Sequence, residues 1–309
     1  MSKRPNSWVL TVLTLALGLQ ASSLAARQDT AAQLAQKKGA TRLEPIAPWN
    51  IDFGENRCRL TRLFGDPEKP HLVMIEQTAP TSQFGLTLAG PHLRKFPMGS
   101  WTYFGILKDQ PVQALSGHQR GEVDKIGKAL IFGTIAIDGD QADQGESTIL
   151  IEPGIDLEQA ARIENMVLKL GTTVVSFETG GMMPPMQALN VCSRDLLATW
   201  GLSPESHERY QPTRWINREA IAKRIGERYP KAAMYAGEQG IMRLRVIVEL
   251  DGTVSDCHIE ASTEQAKLQS PACEEMDNAR FDPALDSKGE PIRSFHAETI
   301  VYSAYPSAG

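Results

Sequence analysis

Long apolar runs are scarce in this sequence. The longest, Trp8 to Leu19, is about a dozen residues, short of the roughly 20 that a membrane-spanning helix needs. Positive charge is not in excess either. The formal net charge is -5, which argues against nucleic acid as a general partner, because phosphate binding calls for a basic face. No Gly-x-Ser-x-Gly elbow and no Ser-x-x-Lys pair is present, so two familiar hydrolase nucleophiles are missing. No Cys-x-x-Cys occurs, which leaves a thioredoxin-like redox motif and a zinc ribbon unsupported. The six histidines (His71, His92, His118, His207, His258 and His296) are scattered without metal-ligand spacing. Gly121 to Lys128 is one residue too long for a phosphate loop, and Ala129 stands where Ser or Thr would hold magnesium. The expectation is a non-enzymatic chain with no cofactor and no metal.

What is present begins with a leader. Lys3 and Arg4 precede the apolar run, and Ser23-Leu24-Ala25 follows it as a small-x-small site. This is the pattern of a secretory signal peptide over 1–25, with the mature chain starting near Ala26 in an oxidising compartment, expected to be the periplasm. If the segment is retained it becomes an inner-membrane anchor. Four cysteines follow: Cys58, Cys192, Cys257 and Cys273. An even number in an exported chain points to disulfides, with three pairings open.

Composition is ordinary for a globular protein, with 41% hydrophobic and 22% charged residues in 309, enough for two modest domains. Residues 26–45, rich in Ala, Gln and Lys, read as a flexible tether, partly helical. Residues 46–202 read as a mainly antiparallel β module with two helices. Strands are expected at 58–64, 72–77, 84–89, 101–107, 129–137, 148–151 and 172–177. Asp156 is positioned to cap a helix with the stripe Ala160, Ile163, Val167 and Leu170, stopped by Gly171. A second helix runs from near Pro185 to before Gly201, with Met186, Leu189, Cys192, Leu196 and Trp200 on one stripe. Trp101 to Phe104 reads as a buried strand ahead of a ligand pocket, and Gly180-Gly181 as a turn.

Residues 203–214 are polar, carry two prolines and read as a linker. Residues 215–304 then give the order helix, strand, strand, helix, strand. Asn217 caps the first helix, with Ile216 and Ile221 as its staple, and the helix yields at Tyr229, ahead of Pro230. In Ile241 to Val254, Met242, Leu244, Val246, Val248 and Leu250 share one parity; Arg243, Arg245 and Glu249 share the other, with Ile247 the exception. This is a strand with one oily and one mostly wet face. The arginines read as a solvated face, with an anion- or peptide-binding face as the alternative. Asp251-Gly252 predicts a type I′ hairpin, and a bulge near Ser255 brings Cys257, Ile259 and Ala261 onto one face. Ser270-Pro271 opens a helix with Leu268, Ala272, Met276 and Ala279 facing the sheet, and Arg293 to Tyr302 is the last strand. The fold class is therefore α+β. A three-stranded sheet has two edges, and an edge without a catalytic group nearby is suited to pairing with an extended peptide.

Several of these residues stand in the order of a known family. Tyr229-Pro230-Lys231-Ala232-Ala233, Gly240 and the alternating strand, Asp251-Gly252-Thr253-Val254, Leu268, Arg280-Phe281-Asp282-Pro283-Ala284 and Gly289 resemble the TonB C-terminal domain family, over the final third of the chain. Cys58-Arg59-Leu60 with Arg62 and Phe64-Gly65, and Cys192 with Asp195-Leu196-Leu197 and Trp200-Gly201, resemble an N-terminal module joined to such domains in some bacterial envelope proteins. The resemblance implies an α-β-β-α-β domain that binds an envelope protein such as a TonB-dependent outer-membrane transporter. The partner's extended segment would be added beside the last strand, near the tyrosine-proline pair. Carried over by position, Tyr229, Phe295, His296 and Ala297 become the partner-binding residues; Tyr229 reads equally as a core tyrosine. The resemblance and the face pattern together pair Cys257 with Cys273, leaving Cys58 for Cys192. The energy-transducing members carry a histidine in a membrane helix and a long proline-rich spacer. No histidine precedes His71 here and no proline run occurs, so a binding module is the reading. A membrane-anchored energy transducer for TonB-dependent transport is the alternative, as is a periplasmic ligand-binding protein or hydrolase with a site in 46–202.

Overall fold

The computed structural model describes residues 29–97, 100–115, 118–137, 150–263 and 267–303. The leader expected at 1–25 and the first half of the strand expected at 148–151 lie outside these residues. No helix among those described is long and apolar enough to cross a membrane.

The N-terminal part is a sandwich of two sheets. Its strands are β1 (Thr41–Leu43), β2 (Asn50–Phe53), β3 (Cys58–Asp66), β4 (Lys69–Gln77), β5 (Gln83–Ala89), β6 (Tyr103–Gly105), β7 (Gln113–Ala114), β8 (His118–Val123), β9 (Gly127–Ala136), β10 (Met166–Leu170) and β11 (Thr173–Phe177). One sheet has the order β2-β3-β4-β5-β9-β8 and is antiparallel throughout; the other has the order β1-β11-β10-β6-β7. Alternation explains the first sheet: Leu60, Val73, Ile75, Leu86, Leu88, Leu130 and Phe132 point into the core shared with Phe104, Met166, Leu168, Val175 and Phe177. Among the described residues, three α-helices accompany these sheets: α1 (Ala31–Ala35), α2 (Leu157–Ala160) and α3 (Met183–Thr199). The stripe of α3 is as the sequence predicts, with Met186, Leu189, Cys192 and Leu196 buried, and Cys192 is bonded to Cys58 on β3.

Three expectations change here. Asp156 does cap α2, accepting from the amides of Glu158 and Gln159, but the helix ends at Ala160. Val167 and Leu170 lie on β10, not on a helical stripe. Gly171, with φ +56°, turns the chain between β10 and β11 where a helix stop was expected. A short apolar run supports either period, and the pairing of β10 with both β11 and β6 decides it. The segment read as a tether is docked: Ala31 and Leu34 are fully buried, and β1 pairs in parallel with β11. Its small side chains let α1 lie close to the sheet, where Ala31 abuts Gly105. Only Tyr103–Gly105 of the strand expected at 101–107 forms, and Trp101 is 78% exposed.

The C-terminal part follows the expected order. It comprises β12 (Arg214–Trp215), α4 (Arg218–Glu227), α5 (Lys231–Tyr235), β13 (Gly240–Val248), β14 (Val254–Ala261), α6 (Ala272–Met276), β15 (Phe281–Asp282), β16 (Ala284–Leu285), β17 (Pro291–Ile292) and β18 (Ser294–Tyr302). The main sheet has the order β14-β13-β18. Met242, Leu244, Val246 and Val248 meet Ile221, Ile225, Ala272 and Met276 from the helices, and Cys257 is bonded to Cys273. The bulge falls where the parity required it: Val248 pairs with Val254 and Ile247 with Asp256, leaving Ser255 extra.

The turn and the cap differ in detail. Glu249 accepts from the Gly252 amide and donates to Thr253, and only Gly252 has positive φ, +78°. That is a three-residue loop closed by a left-handed glycine, not a type I′ turn. Asn217 stands at the N-terminus of α4, but its side chain accepts from Arg280 N and donates to Asn278 O, tying the helix to the strand β15 region. Ile216 is exposed, so no staple forms.

The largest correction concerns the arginine face of β13. Every residue of β13 is buried, Arg243 and Arg245 among them. The face expected to be wet lies against the outer face of the six-stranded sheet. Two apolar clusters bound this interface. Ile247 and Phe295 join Ala79, Leu197, Leu202 and Tyr210, and Ile241 joins Ala89, Ala129 and Ile131. Between them lie polar contacts: Thr134 donates to Thr299 at 2.8 Å, and Arg57 is paired with Glu260. The molecule is thus layered: five-stranded sheet with α3, six-stranded sheet, three-stranded sheet, helices.

Candidate functional site

Among the described residues, β18 has a partner strand on one side only. Its outer side is treated differently along its length. At its start the segment 203–214 packs over it. The Phe295 ring lies 5.8 Å from Trp200, 6.1 Å from His207 and 6.4 Å from Tyr210. Thr213 donates its hydroxyl to the Phe295 carbonyl. The segment is itself held: Tyr210 exchanges both backbone hydrogen bonds with Ile151, Gln211 does so with Leu285, and His207 Nε2 is 2.8 Å from Ser294 Oγ. His296 is enclosed by Trp215 and Phe281, and burial pushes its imidazole down to about 4.

From Ala297 to Val301 the surroundings change. Ala297, Glu298, Thr299 and Val301 line a cleft of about 570 Å³ between the two parts of the molecule. Its opposite wall is formed by β9 from Phe132 onward and by residues 104–107, 110–111 and 113–115, with Gln77 and Gln83 also in the lining. β8 pairs with β9 only as far as Phe132, whereas β5 continues to Ala136, so Gly133–Ala136 is also one-sided among the described residues. Two incompletely paired stretches of strand therefore border one cleft. Its charged lining is Arg243, Arg218, Glu298 and Glu76. Arg218 is paired with Glu298 at 3.0 Å, and Glu76 with Arg59 at 2.9 Å.

The four residues expected to bind a partner are not gathered in one place. Ala297 lines the cleft. Phe295 and His296 are enclosed by intramolecular contacts, 4% and 5% exposed. Tyr229 stands at the other end of β18, its ring 5.4 Å from that of Tyr302 and its hydroxyl donating to the Glu238 carbonyl. Phe295 and Tyr302 are seven positions apart, roughly 23 Å along a strand. The β9 wall and Gln77 were not anticipated, and Arg243 was expected on a solvated face, with anion or peptide binding as the alternative. Their signal was Gly85 and Gly133 inside strand patterns, since a glycine there marks close approach of another group. A Cβ on Gly85 would lie 1.7 Å from Arg243 Nη2, and one on Gly133 3.2 Å from Thr299 Cγ2.

No group of three or more His, Cys, Asp or Glu residues among those described is placed to hold a metal ion. The chemistry on offer is hydrogen bonding from strand edges, a few amide and hydroxyl side chains, and the charged side chains of Arg243, Arg218, Glu298 and Glu76.

Residues 226–303 match the family model described as Gram-negative bacterial TonB protein C-terminal. That family is a non-enzymatic protein-interaction domain associated with the cell envelope, and the two disulfides fit an exported chain. No curated protein matches the chain.

Proposed function

We propose that this chain, with its TonB-like residues 226–303, is a periplasmic binding module. It captures an extended segment of an envelope protein, such as the N-terminal periplasmic segment of a TonB-dependent outer-membrane transporter, by strand addition. The observation that carries this reading is the cleft: β18 ends its sheet, and its Ala297–Val301 stretch opens onto a space about 570 Å³ in volume. Backbone pairing supplies affinity to such an edge, and pockets for alternate side chains supply choice. In this reading Ala297 meets the added segment and Tyr229 stands near the far end of the groove. Phe295 and His296 act indirectly: packed under 203–214, they hold the strand in position.

The test is a binding titration of the mature chain with fluorescent peptides from transporter N-termini. Ala297→Trp fills the cleft without touching the helical core and is expected to weaken binding at least about tenfold, roughly 1.4 kcal/mol. Unchanged affinity in a folded Ala297→Trp variant would move the site away from this edge.

A further inference from the structure

Among the described residues, the arginines along the interface between the two modules mostly have a carboxylate. Arg57 is paired with Glu260, Arg59 with Glu76, Arg218 with Glu298 and Arg245 with Asp256. Arg243 has none within ion-pair distance among the described residues. Its only hydrogen bond there is a long one, Nη1 to Thr299 Oγ1 at 3.4 Å, and its Nε has no partner. The side chain is 7% exposed and its guanidinium lies against the Gly85 backbone, on the lining of the cleft. Glu76 is near enough to favour the charged form, yet both Nε and Nη2 of Arg59 already donate to one of its oxygens. A buried guanidinium without a carboxylate is costly, and native interiors pair such charges.

A second unpartnered group lines the same cleft. Gln77 is 2% exposed, and its Nε2 donates to the carbonyls of Thr81 and Gln83, which fixes the orientation of the amide. Its Oε1 has no partner. Gln77 shares the parity of Val73 and Ile75 on β4 and so sits toward the core side of the sheet, whereas Arg243 lies on the outer side against Gly85; the unpaired charge at the cleft is that of Arg243. An acidic residue in an extended peptide carries the complement, a carboxylate for Arg243.

We propose that the inter-module cleft is selective for an acidic residue in the segment it captures, with Arg243 as counter-ion for the carboxylate. This rests on the strand-addition reading above. The partner is thereby narrowed to extended segments that place Asp or Glu opposite Arg243. Gly85 is part of the device, because any side chain there would displace the guanidinium.

The experiment is a double-mutant cycle read by fluorescence anisotropy. The probes are fluorescein-labelled transporter N-terminal peptides, each made with Glu and with Gln at every acidic position. The protein is the mature full chain, as wild type and as Arg243→Gln, with Arg243→Lys added as a variant that keeps the charge and loses the fork. At one position the Glu peptide is expected to bind wild type about 10- to 100-fold more tightly than the Gln peptide, the range of a charge-assisted hydrogen bond. In Arg243→Gln that preference falls to within about twofold, and in Arg243→Lys part of it survives. Equal binding of Glu and Gln peptides to wild type would overturn the anion subsite while leaving strand addition standing. So would a preference that persists in Arg243→Gln or, should that variant not fold, one undiminished in Arg243→Lys. No binding of any peptide to wild type would overturn both.

Discussion

The six-stranded sheet of the N-terminal module turns its hydrocarbon to one face and its charges to the other, and the three-stranded sheet of the C-terminal module does the same. Their charged faces then meet. The N-terminal module has a large continuous core that spans two sheets and α3, tied by Cys58–Cys192 across 134 residues. The C-terminal module has a smaller core, tied by Cys257–Cys273 across 16 residues. It relies on its neighbour to cover Arg243, Arg245 and Ile247. The difference teaches that alternation along a strand tells which face is less apolar, not whether that face is wet. A polar face can be buried if another polar face supplies the partners, and here the supply falls one carboxylate short.

Cutting each disulfide separates the two modules by the largest effect. In the chain-entropy model, Cys58→Ser with Cys192→Ser costs about 5 kcal/mol, and Cys257→Ser with Cys273→Ser about 3 kcal/mol. Denaturant unfolding of the two double variants should show the larger loss in the first. Equal losses would mean that the loop lengths do not govern.

Acidification acts next, and on both modules. His71, in the N-terminal core, and His296, under 203–214, are each held down to about 4, with burial the main cause. His92 beside His71 pushes the same way; around His296, Glu298 opposes the shift and Arg218 adds to it. An unfolded imidazole titrates near 6.5. The unfolded chain therefore takes up protons that the folded chain refuses, so stability is complete above about pH 6.5 and is lost as pH falls toward 4. For the fully enclosed His296 the loss at pH 5 is about 2 kcal/mol. Urea midpoints at pH 7 and pH 5 should differ in wild type and differ less in His296→Asn.

The smallest effect tests the dry face most cleanly. Ile247, 1% exposed, shares a face with Arg243 and Arg245. Ile247→Val should cost about 1 kcal/mol, as in a core. On a solvated face the same change would cost almost nothing.

Much of this architecture was legible in the sequence. The parity of Cys257 against Val254 demanded a bulge at Ser255, and the pairing has it there. The stripe of α3 placed Cys192 inward, where Cys58 reaches it. What was not legible had physical reasons. Residues 166–170 fit either period, and only their neighbours β6 and β11 select a strand. Ala31 and Leu34 form too short a pattern to announce a docked helix, since their burial depends on sheet β1-β11-β10-β6-β7 already being present. The candidate site was half visible. The last strand and Ala297 could be read from the family's order of residues. The opposite wall could not, because β9 lies more than 150 residues away in the chain and only Gly85 and Gly133 hint that something approaches.

Strand addition at β18 is read out by amide hydrogen exchange across the mature chain, with and without a saturating transporter N-terminal peptide. New protection is expected in Ala297–Val301 of β18 and in Gly133–Ala136 of β9, with 203–214 unchanged. Protection confined to the other edge of the sheet, along Asp256–Ala261 of β14, would contradict it.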